Sequence, residues 1–273
     1  MVGRVTISAT GKAKAARLSF ARTMGLAAHD PGGPIEQAFA ATPREHFLGP
    51  GACADPAEVY RDTVIALVPE KRINNGQPSL HAACLAMLQP KRGESVVHVG
   101  AGAGYYTAIL ARLVGDGQVD AYEIEPSLAQ LARENLAPFA NVRVHAASAA
   151  EGPLPRCDML YVNAGATRPL ANWLDALKPA GRLLFPLTGE GGTGGMTLIS
   201  PAGEHVFSAQ ISIPVGFIPC TGARDPAQAR ALTDLFRRGA WMSVKSLRRH
   251  CPPDESCWFA ADDCWFSTRP PDE

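Results

Sequence analysis

A chain of 273 residues with 46% hydrophobic content is long enough to bury a sizeable core, as one large domain or one domain with appendages. Lysine plus arginine and aspartate plus glutamate both number 26, so the formal net charge is zero, which disfavours nucleic acid as a partner and marks no acidic tail. No segment approaches the roughly 18 apolar residues of a membrane span, and no apolar run of a signal peptide accompanies Arg4, Lys12, Lys14 and Arg17.

Seven scattered cysteines, Cys53, Cys84, Cys157, Cys220, Cys251, Cys257 and Cys264, read as reduced thiols, so a soluble cytoplasmic protein is expected. The gaps in the set His250, Cys251, Cys257 and Cys264 match no paired C-x-x-C knuckle, and no metal is expected there.

From the N-terminus, an Ala-rich basic segment over 12–28 predicts a helix that stops at Asp30-Pro31-Gly32-Gly33-Pro34. A short amphipathic helix over 35–41 follows, and Thr42-Pro43 predicts the N-cap and first position of another. Residues 63–68 are apolar and partly β-branched, an extended piece at the periphery. Ile73-Asn74-Asn75-Gly76-Gln77-Pro78 is a polar turn ahead of a helix over 79–88, and Gln89-Pro90-Lys91-Arg92-Gly93 ends that helix. The turn offers Asn74, Asn75, Gly76, Gln77 and Ser79 either as a substrate-side pocket or as the scaffold of the turn itself.

The next stretch, Val96-Val97-His98-Val99-Gly100-Ala101-Gly102-Ala103-Gly104-Tyr105-Tyr106-Thr107, is an apolar run that breaks into alternating glycines and then becomes helical over about 106–113. Without a Cβ, glycine allows positive φ and close approach of a ligand to the backbone, and the helix start aims N–H groups at that turn. A strand over 118–124 then places Glu123 at its tip, where a carboxylate can accept two hydrogen bonds from a ribose diol. The pattern repeats with a helix over 127–136, strands over 142–145 and 158–163, a helix over 170–177, a turn at 178–181 and a strand over 182–187, which predicts a parallel sheet with helices on both faces. Glycines 189–195 read as a flexible loop, 196–199 and 204–213 as an antiparallel hairpin, 226–238 as a helix, and the remainder as an irregular tail whose Trp241, Trp258 and Trp265 pack on the domain or on a partner. A dinucleotide fold wants G-x-G-x-x-G/A. Here the third glycine comes one position early and Tyr105 stands where a small residue belongs, so G-x-G-x-G fits S-adenosyl-L-methionine better.

Several of these segments together resemble the protein-L-isoaspartate O-methyltransferases, within the seven-stranded class I methyltransferases. The likeness runs in order from about Ile35 to Thr221. Pro43-Arg44-Glu45-His46-Phe47 is similar to the family's Pro-Arg-Glu-x-Phe helix, and Gln77-Pro78-Ser79-Leu80-His81-Ala82 to its Ser-Ala/Gln-Pro-His-Met-x-Ala segment. Leu177-Lys178-Pro179-Ala180-Gly181-Arg182-Leu183 resembles its Leu-Lys-Pro-Gly-Gly-Arg-Leu strand, and Ile218-Pro219-Cys220-Thr221 its late Val-Pro-Leu-Thr end. The resemblance implies an α/β, Rossmann-like doubly wound fold with a mostly parallel seven-stranded sheet and an antiparallel late strand, plus N-terminal helices and a C-terminal extension. It divides the chain into a helical, substrate-side region (1–92), a cofactor-binding core (93–222) and an extension (223–273). It implies S-adenosyl-L-methionine as cofactor, held by Gly100, Ala101, Gly102, Gly104 and Tyr105, with Glu123 on the ribose, Ser148 at the adenine and His81 and Thr221 facing the cofactor or adjoining pocket.

Three positions depart from the family pattern. Its substrate-handling Ser falls on Gly76, the acidic residue two positions before the first glycine falls on His98, and the Asp at the adenine falls on Ser148. Methyl transfer from a sulfonium is an in-line displacement in which alignment does most of the work, and a carboxylate acceptor needs no general base. The leading expectation is therefore a methyltransferase acting on a carboxylate of a peptide, protein or small metabolite. Two alternatives stand beside it: an oxygen or nitrogen acceptor on a small molecule with His46, His81 or His98 as base, and a non-catalytic cofactor-binding or interaction protein. The extension is expected to serve as a lid or as a contact in a homo-oligomer.

Overall fold

The computed structural model describes residues 3–48 and 55–272, with side chains from residue 11 onward. Cys53 lies outside the described residues. The helices are α1 (Gly3–Ala27), α2 (Pro34–Ala41), α3 (Pro56–Val59), α4 (Pro78–Leu88), α5 (Tyr105–Val114), α6 (Pro126–Leu136), α7 (Ala171–Ala176) and α8 (Pro226–Arg238). The strands are β1 (Ala66–Val68), β2 (Ile73–Asn74), β3 (Val96–Val99), β4 (Val119–Tyr122), β5 (Val142–His145), β6 (Cys157–Val162), β7 (Leu177–Thr188), β8 (Thr193–Gly203), β9 (Val206–Gly216), β10 (Ser246–Arg249), β11 (Cys257–Ala260) and β12 (Cys264–Ser267).

The chain divides into two units. The first comprises Met1–Gly93, Ala101–Val119 and Glu125–Ala146. Within it α1 packs on α2 and α4, and α2 on α5, around Phe20, Met24, Phe39, Leu85, Tyr105 and Ile109. Phe39 meets Phe20 and Tyr105 edge-on, with centroids 6.0 and 6.2 Å apart, the geometry aromatic rings prefer. The segment after α2 differs from expectation. Thr42 does not open a helix: its hydroxyl donates to Ala38 O at 2.7 Å, closing α2, and Pro43 takes the cap position of a single 3-10 turn over Arg44–Phe47. The polar turn after Arg72 also contains structure, since Ile73–Asn74 pairs antiparallel with β1.

The second unit comprises Glu94–Gly100, Asp120–Ile124 and Ala147–Glu273. Its strands lie in the order β11-β12-β10-β9-β8-β7-β6-β3-β4. β3, β6 and β7 run parallel, and from β7 through β9 to β11 every neighbour is antiparallel. Short, wholly buried apolar strands such as Val96–Val99 belong in a parallel sheet covered on both faces. The core gathers Val97, Leu160, Trp173, Phe185, Leu232, Leu247 and Phe266.

Three sequence expectations are corrected in this unit. The turn at 178–181 lies inside β7, because register passes from Cys157↔Leu177 to Met159↔Arg182 and the intervening residues bulge out of the ladder. Glycines 194 and 195 are not loop: they pair with Thr188 and Leu187, and a Cβ on Gly194 would come within 1.9 Å of Leu187 O. The tail is not irregular: β10–β12 extend the sheet beyond the expected seven strands, while Trp241 and Trp258 pack against the core. These strands escape a period-two reading because β12 is buried on both faces and each of the three has four residues. The expected helix over 226–238 stands as α8: Asp225 accepts from Gln228 N at 2.8 Å, Pro226 occupies the first turn and Gly239 ends it.

Candidate functional site

In the second unit, the parallel register of β3 and β6 sets His98 opposite Tyr161 and Val99 opposite Val162, so the carboxyl ends of the two strands carry Gly100 and Asn163 side by side. Ligands of open α/β sheets bind beyond such strand ends. Gly100, Gly102 and Gly104 have φ of 77°, 56° and 96°, so the whole turn uses conformations that side chains disfavour. Gly100 N donates to Tyr122 O at 2.9 Å, which fastens the start of the turn to the end of β4, one residue before the buried Glu123. The turn closes through Gly104 N to Ala101 O at 2.9 Å, and α5 begins at Tyr105 with no side-chain cap on its first turn. That leaves the helix start suited to a polar or anionic ligand group.

His98 is fully buried, stacked at 5.6 Å on Tyr161, with Nε2 2.7 Å from Asn163 Nδ2. Burial pushes its pKa down to about 3, so the ring is neutral at pH 7 and a poor general base there. Which of the two groups donates in that contact follows from the ring tautomer. Sequence reasoning did not single out Asn163. The available signal was its position, first after an apolar strand that neighbours the glycine-turn strand.

Ser148 Oγ accepts from Ala150 N at 3.2 Å, and its hydroxyl hydrogen remains to be donated. The segment 218–220 runs beside Gly165, through Gly165 N to Ile218 O at 2.7 Å and Cys220 N to Gly165 O at 2.9 Å, and carries the exposed Thr221. Burial pushes the Cys220 thiol up to about 11 and that of Cys157 to about 12, which leaves both protonated and unreactive.

In the first unit, the turn before α4 is built by its own polar side chains. Asn74 Oδ1 accepts from Gly76 N at 2.9 Å, and Asn75 Oδ1 from Ile65 N at 2.8 Å. Gln77 Nε2 reaches Asp62 and Ser79 Oγ, both at 3.2 Å, while Asp62 also accepts from Ser79 N at 2.8 Å and so caps α4 from outside the helix. Gly76 has φ 71°, and a Cβ there would stand 2.1 Å from His81 Nε2. The His81 ring is buried and stacked on Tyr106 at 3.6 Å with 13° between planes. The phenolic hydroxyls of Tyr105 and Tyr106 are buried without a hydrogen-bond partner, and desolvation raises both pKa values. Among the described residues no group of three or more His, Cys, Asp and Glu is placed to hold a metal ion, and no helix is long and apolar enough to cross a membrane.

Comparison with known proteins gives a consistent result. The family model described as protein-L-isoaspartate(D-aspartate) O-methyltransferase matches residues 20–225. A protein-L-isoaspartate O-methyltransferase of Methylorubrum extorquens is 35% identical over 202 residues, 70% of this chain and 83% of that protein. One of Ignicoccus hospitalis is 30% identical over 194 residues, 68% and 87% of the respective chains. Among solved structures, a protein-L-isoaspartate O-methyltransferase superposes with TM-score 0.64 at 24% identity, over 75% of this chain and 64% of that one. A Plasmodium falciparum chain assigned to the same activity, in complex with S-adenosyl-L-homocysteine, superposes with TM-score 0.65 at 17% identity, over 76% and 98%. Likeness at these identities shows the fold: an α/β methyltransferase fold with a mostly parallel central sheet, here carrying extra C-terminal strands.

Proposed function

The chain belongs to the protein-L-isoaspartate(D-aspartate) O-methyltransferase family of S-adenosyl-L-methionine-dependent enzymes, and from that premise we propose that it methylates a carboxylate on a peptide or protein. The observation that carries the reading is the glycine turn: three alternating positive-φ glycines at a strand end, the first bonded to the residue before a buried acid. The turn suits the methionine end of this cofactor and the acid its ribose. Gly100, Ala101, Gly102, Gly104 and Tyr105 would lie against its methionine end, Glu123 would accept from the ribose diol, and Ser148 would donate to the adenine. His81 and Thr221 would border the reacting methyl group. When bound, the cofactor supplies a methyl group on an activated sulfonium.

What remains for the protein is to align a nucleophile behind that methyl and exclude water. A carboxylate is already ionised at pH 7 and needs no base, which agrees with a neutral, low-pKa His98. We assign acceptor recognition to residues 1–92, cofactor binding to 93–222, and, in place of the expected lid, an oligomer contact to 223–273, whose strands extend the sheet. The reading is tested by titrating S-adenosyl-L-methionine and S-adenosyl-L-homocysteine calorimetrically, then assaying labelled methyl transfer to an isoaspartyl peptide. Base-labile product is expected. Base-stable product would move the acceptor to oxygen or nitrogen of another group, and absence of binding at millimolar ligand would end the enzyme reading.

A further inference from the structure

A cleft of about 790 Å³ opens in the second unit between the loop over 150–154, the residues around the start of α7 and the turn that joins β11 to β12. Two of these walls fall inside the family-matched residues 20–225 and the third lies beyond them, so the extension completes a cleft that the matched portion alone leaves open. The walls are held in place. Asn172 Nδ2 donates to Ala149 O at 3.0 Å and to Gly152 O at 2.9 Å, and Trp173 Nε1 donates to Ala149 O at 2.9 Å, which ties the loop to α7. Arg168 holds the turn, with Nη1 3.3 Å from Asp263 Oδ1 and Nη2 3.8 Å from Asp262 Oδ2.

The lining combines two kinds of surface. Leu154, Leu170 and Ala171 supply apolar area, and Asp175, Asp262 and Asp263 set three carboxylates against the single guanidinium of Arg168. The side chains of Asp175 and Asp262 are 65% and 75% exposed and that of Arg168 only 25%, so the charge that meets solvent is negative. The buried Arg249 donates to Asp175 Oδ1 at 2.7 Å and fixes that carboxylate in place. Apolar walls beside fixed carboxylates match a lysine or arginine side chain, whose aliphatic stem covers apolar surface while its charged head stays at a polar edge.

The cleft adjoins the segment that carries Thr221. A Cβ on Gly222 would stand 2.8 Å from the Cβ of Ala150, itself a lining residue. Thr167, next to Arg168, donates its N to Ala223 O at 3.0 Å. An extended peptide advances about 3.3 Å per residue, so a chain with its acceptor group at Thr221 brings a side chain a few residues away to this cleft.

We propose that the cleft is a subsite for the acceptor chain and receives a lysine or arginine side chain a few residues from the carboxylate that is methylated. The proposal rests on the acceptor reading above and deepens it: the substrate is a peptide or protein segment with a basic residue near the acceptor, and part of its recognition passes to the extension.

The test uses the full chain and short labelled peptides with a central isoaspartate, in which lysine replaces alanine at one flanking position at a time. Fluorescence anisotropy in the presence of S-adenosyl-L-homocysteine reads affinity without turnover, and methyl transfer from S-adenosyl-L-methionine reads kcat/KM. At one or two positions lysine is expected to improve both by about fivefold over alanine, the size of a partly exposed ion pair, glutamate there to weaken both, and the gain to shrink as salt is raised. The double variant Asp175→Asn/Asp262→Asn keeps an oxygen for Arg249 and for Gln228 and loses two charges. Its lysine-to-alanine ratio is expected to fall below about twofold, with the thermal midpoint and the affinity for S-adenosyl-L-homocysteine at wild-type values. Absence of a lysine preference at every position, a preference that survives in the double variant, or a loss matched by an equal loss of S-adenosyl-L-homocysteine affinity would each overturn the proposal. Lysine peptides that bind with this preference yet receive no methyl group would support the cleft as a site for basic side chains and remove the acceptor reading instead.

Discussion

Serine at position 76 would place a Cβ 2.1 Å from His81 Nε2 on a backbone with φ 71°, so two separate penalties attach to one methylene. The first is the left-handed conformation; the second is displacement of a buried ring stacked on Tyr106. Gly76→Ser is accordingly expected to destabilise the chain by about 2 kcal/mol or more. His81→Ala removes the clash but leaves the conformational strain, so the double variant should lie well below the sum of the singles, with a coupling of at least about 1 kcal/mol. Urea denaturation of the four proteins measures it, and additivity within about 0.5 kcal/mol would show that the ring does not occupy the space. The departure from serine at this position thus has a steric cause in the chain itself. His98 could be read the same way only in part: its position in the glycine stretch was visible, whereas its neutrality depends on burial that no local pattern records.

Elements with a strong local signature were legible in the sequence, and those whose cause is remote were not. The helix over 226–238 carries its own cap, proline and terminal glycine, and the observed bounds coincide with the expected ones. The glycine turn between β3 and α5 was likewise explicit, because positive φ leaves a residue-type mark. The hairpin of β1 and β2 was read as an extended piece and a turn, since two paired residues leave no period. What holds that region is Arg44, which the sequence offered only as part of a family motif. Its side chain is fully buried, with Nη1 donating to Val59 O and Arg61 O and Nη2 to Thr63 O, all at 2.8 Å, and with Asn75 Oδ1 at 3.4 Å. One planar cation therefore ties a 3-10 turn to a loop and to the turn before α4. Arg44→Met would strand three carbonyls, an expected loss of about 3 kcal/mol or more. Arg44→Lys should recover only a fraction, because an ammonium cannot reproduce the fork. Guanidinium denaturation checks both, and a lysine variant within about 0.5 kcal/mol of wild type would refute the role given to the fork.

At the scale of the molecule, the family match ends at residue 225, while the second unit continues through α8 and β10–β12. The extension does not sit apart from the sheet. Ser246, Leu247 and Arg248 pair with Ser208, Phe207 and Val206, and Leu232, Val244, Leu247, Phe259 and Phe266 belong to the same apolar cluster as Phe185, Ile199 and Ile211. Burying each such side chain contributes about 1.5–3 kcal/mol, so five of them are comparable to the whole net stability of an ordinary domain. β10 also covers the hydrogen-bonding edge of β9 over Val206–Ser208, a stretch that would otherwise invite pairing with another chain. A chain ending at Asp225 is therefore expected to be insoluble or, if recovered, to bind a hydrophobic dye and unfold without a cooperative transition. Sedimentation, dye fluorescence and calorimetry of that truncation decide the matter. A soluble product with a sharp transition near the wild-type midpoint would show that the extension is an appendage and that the family-matched portion completes its own core.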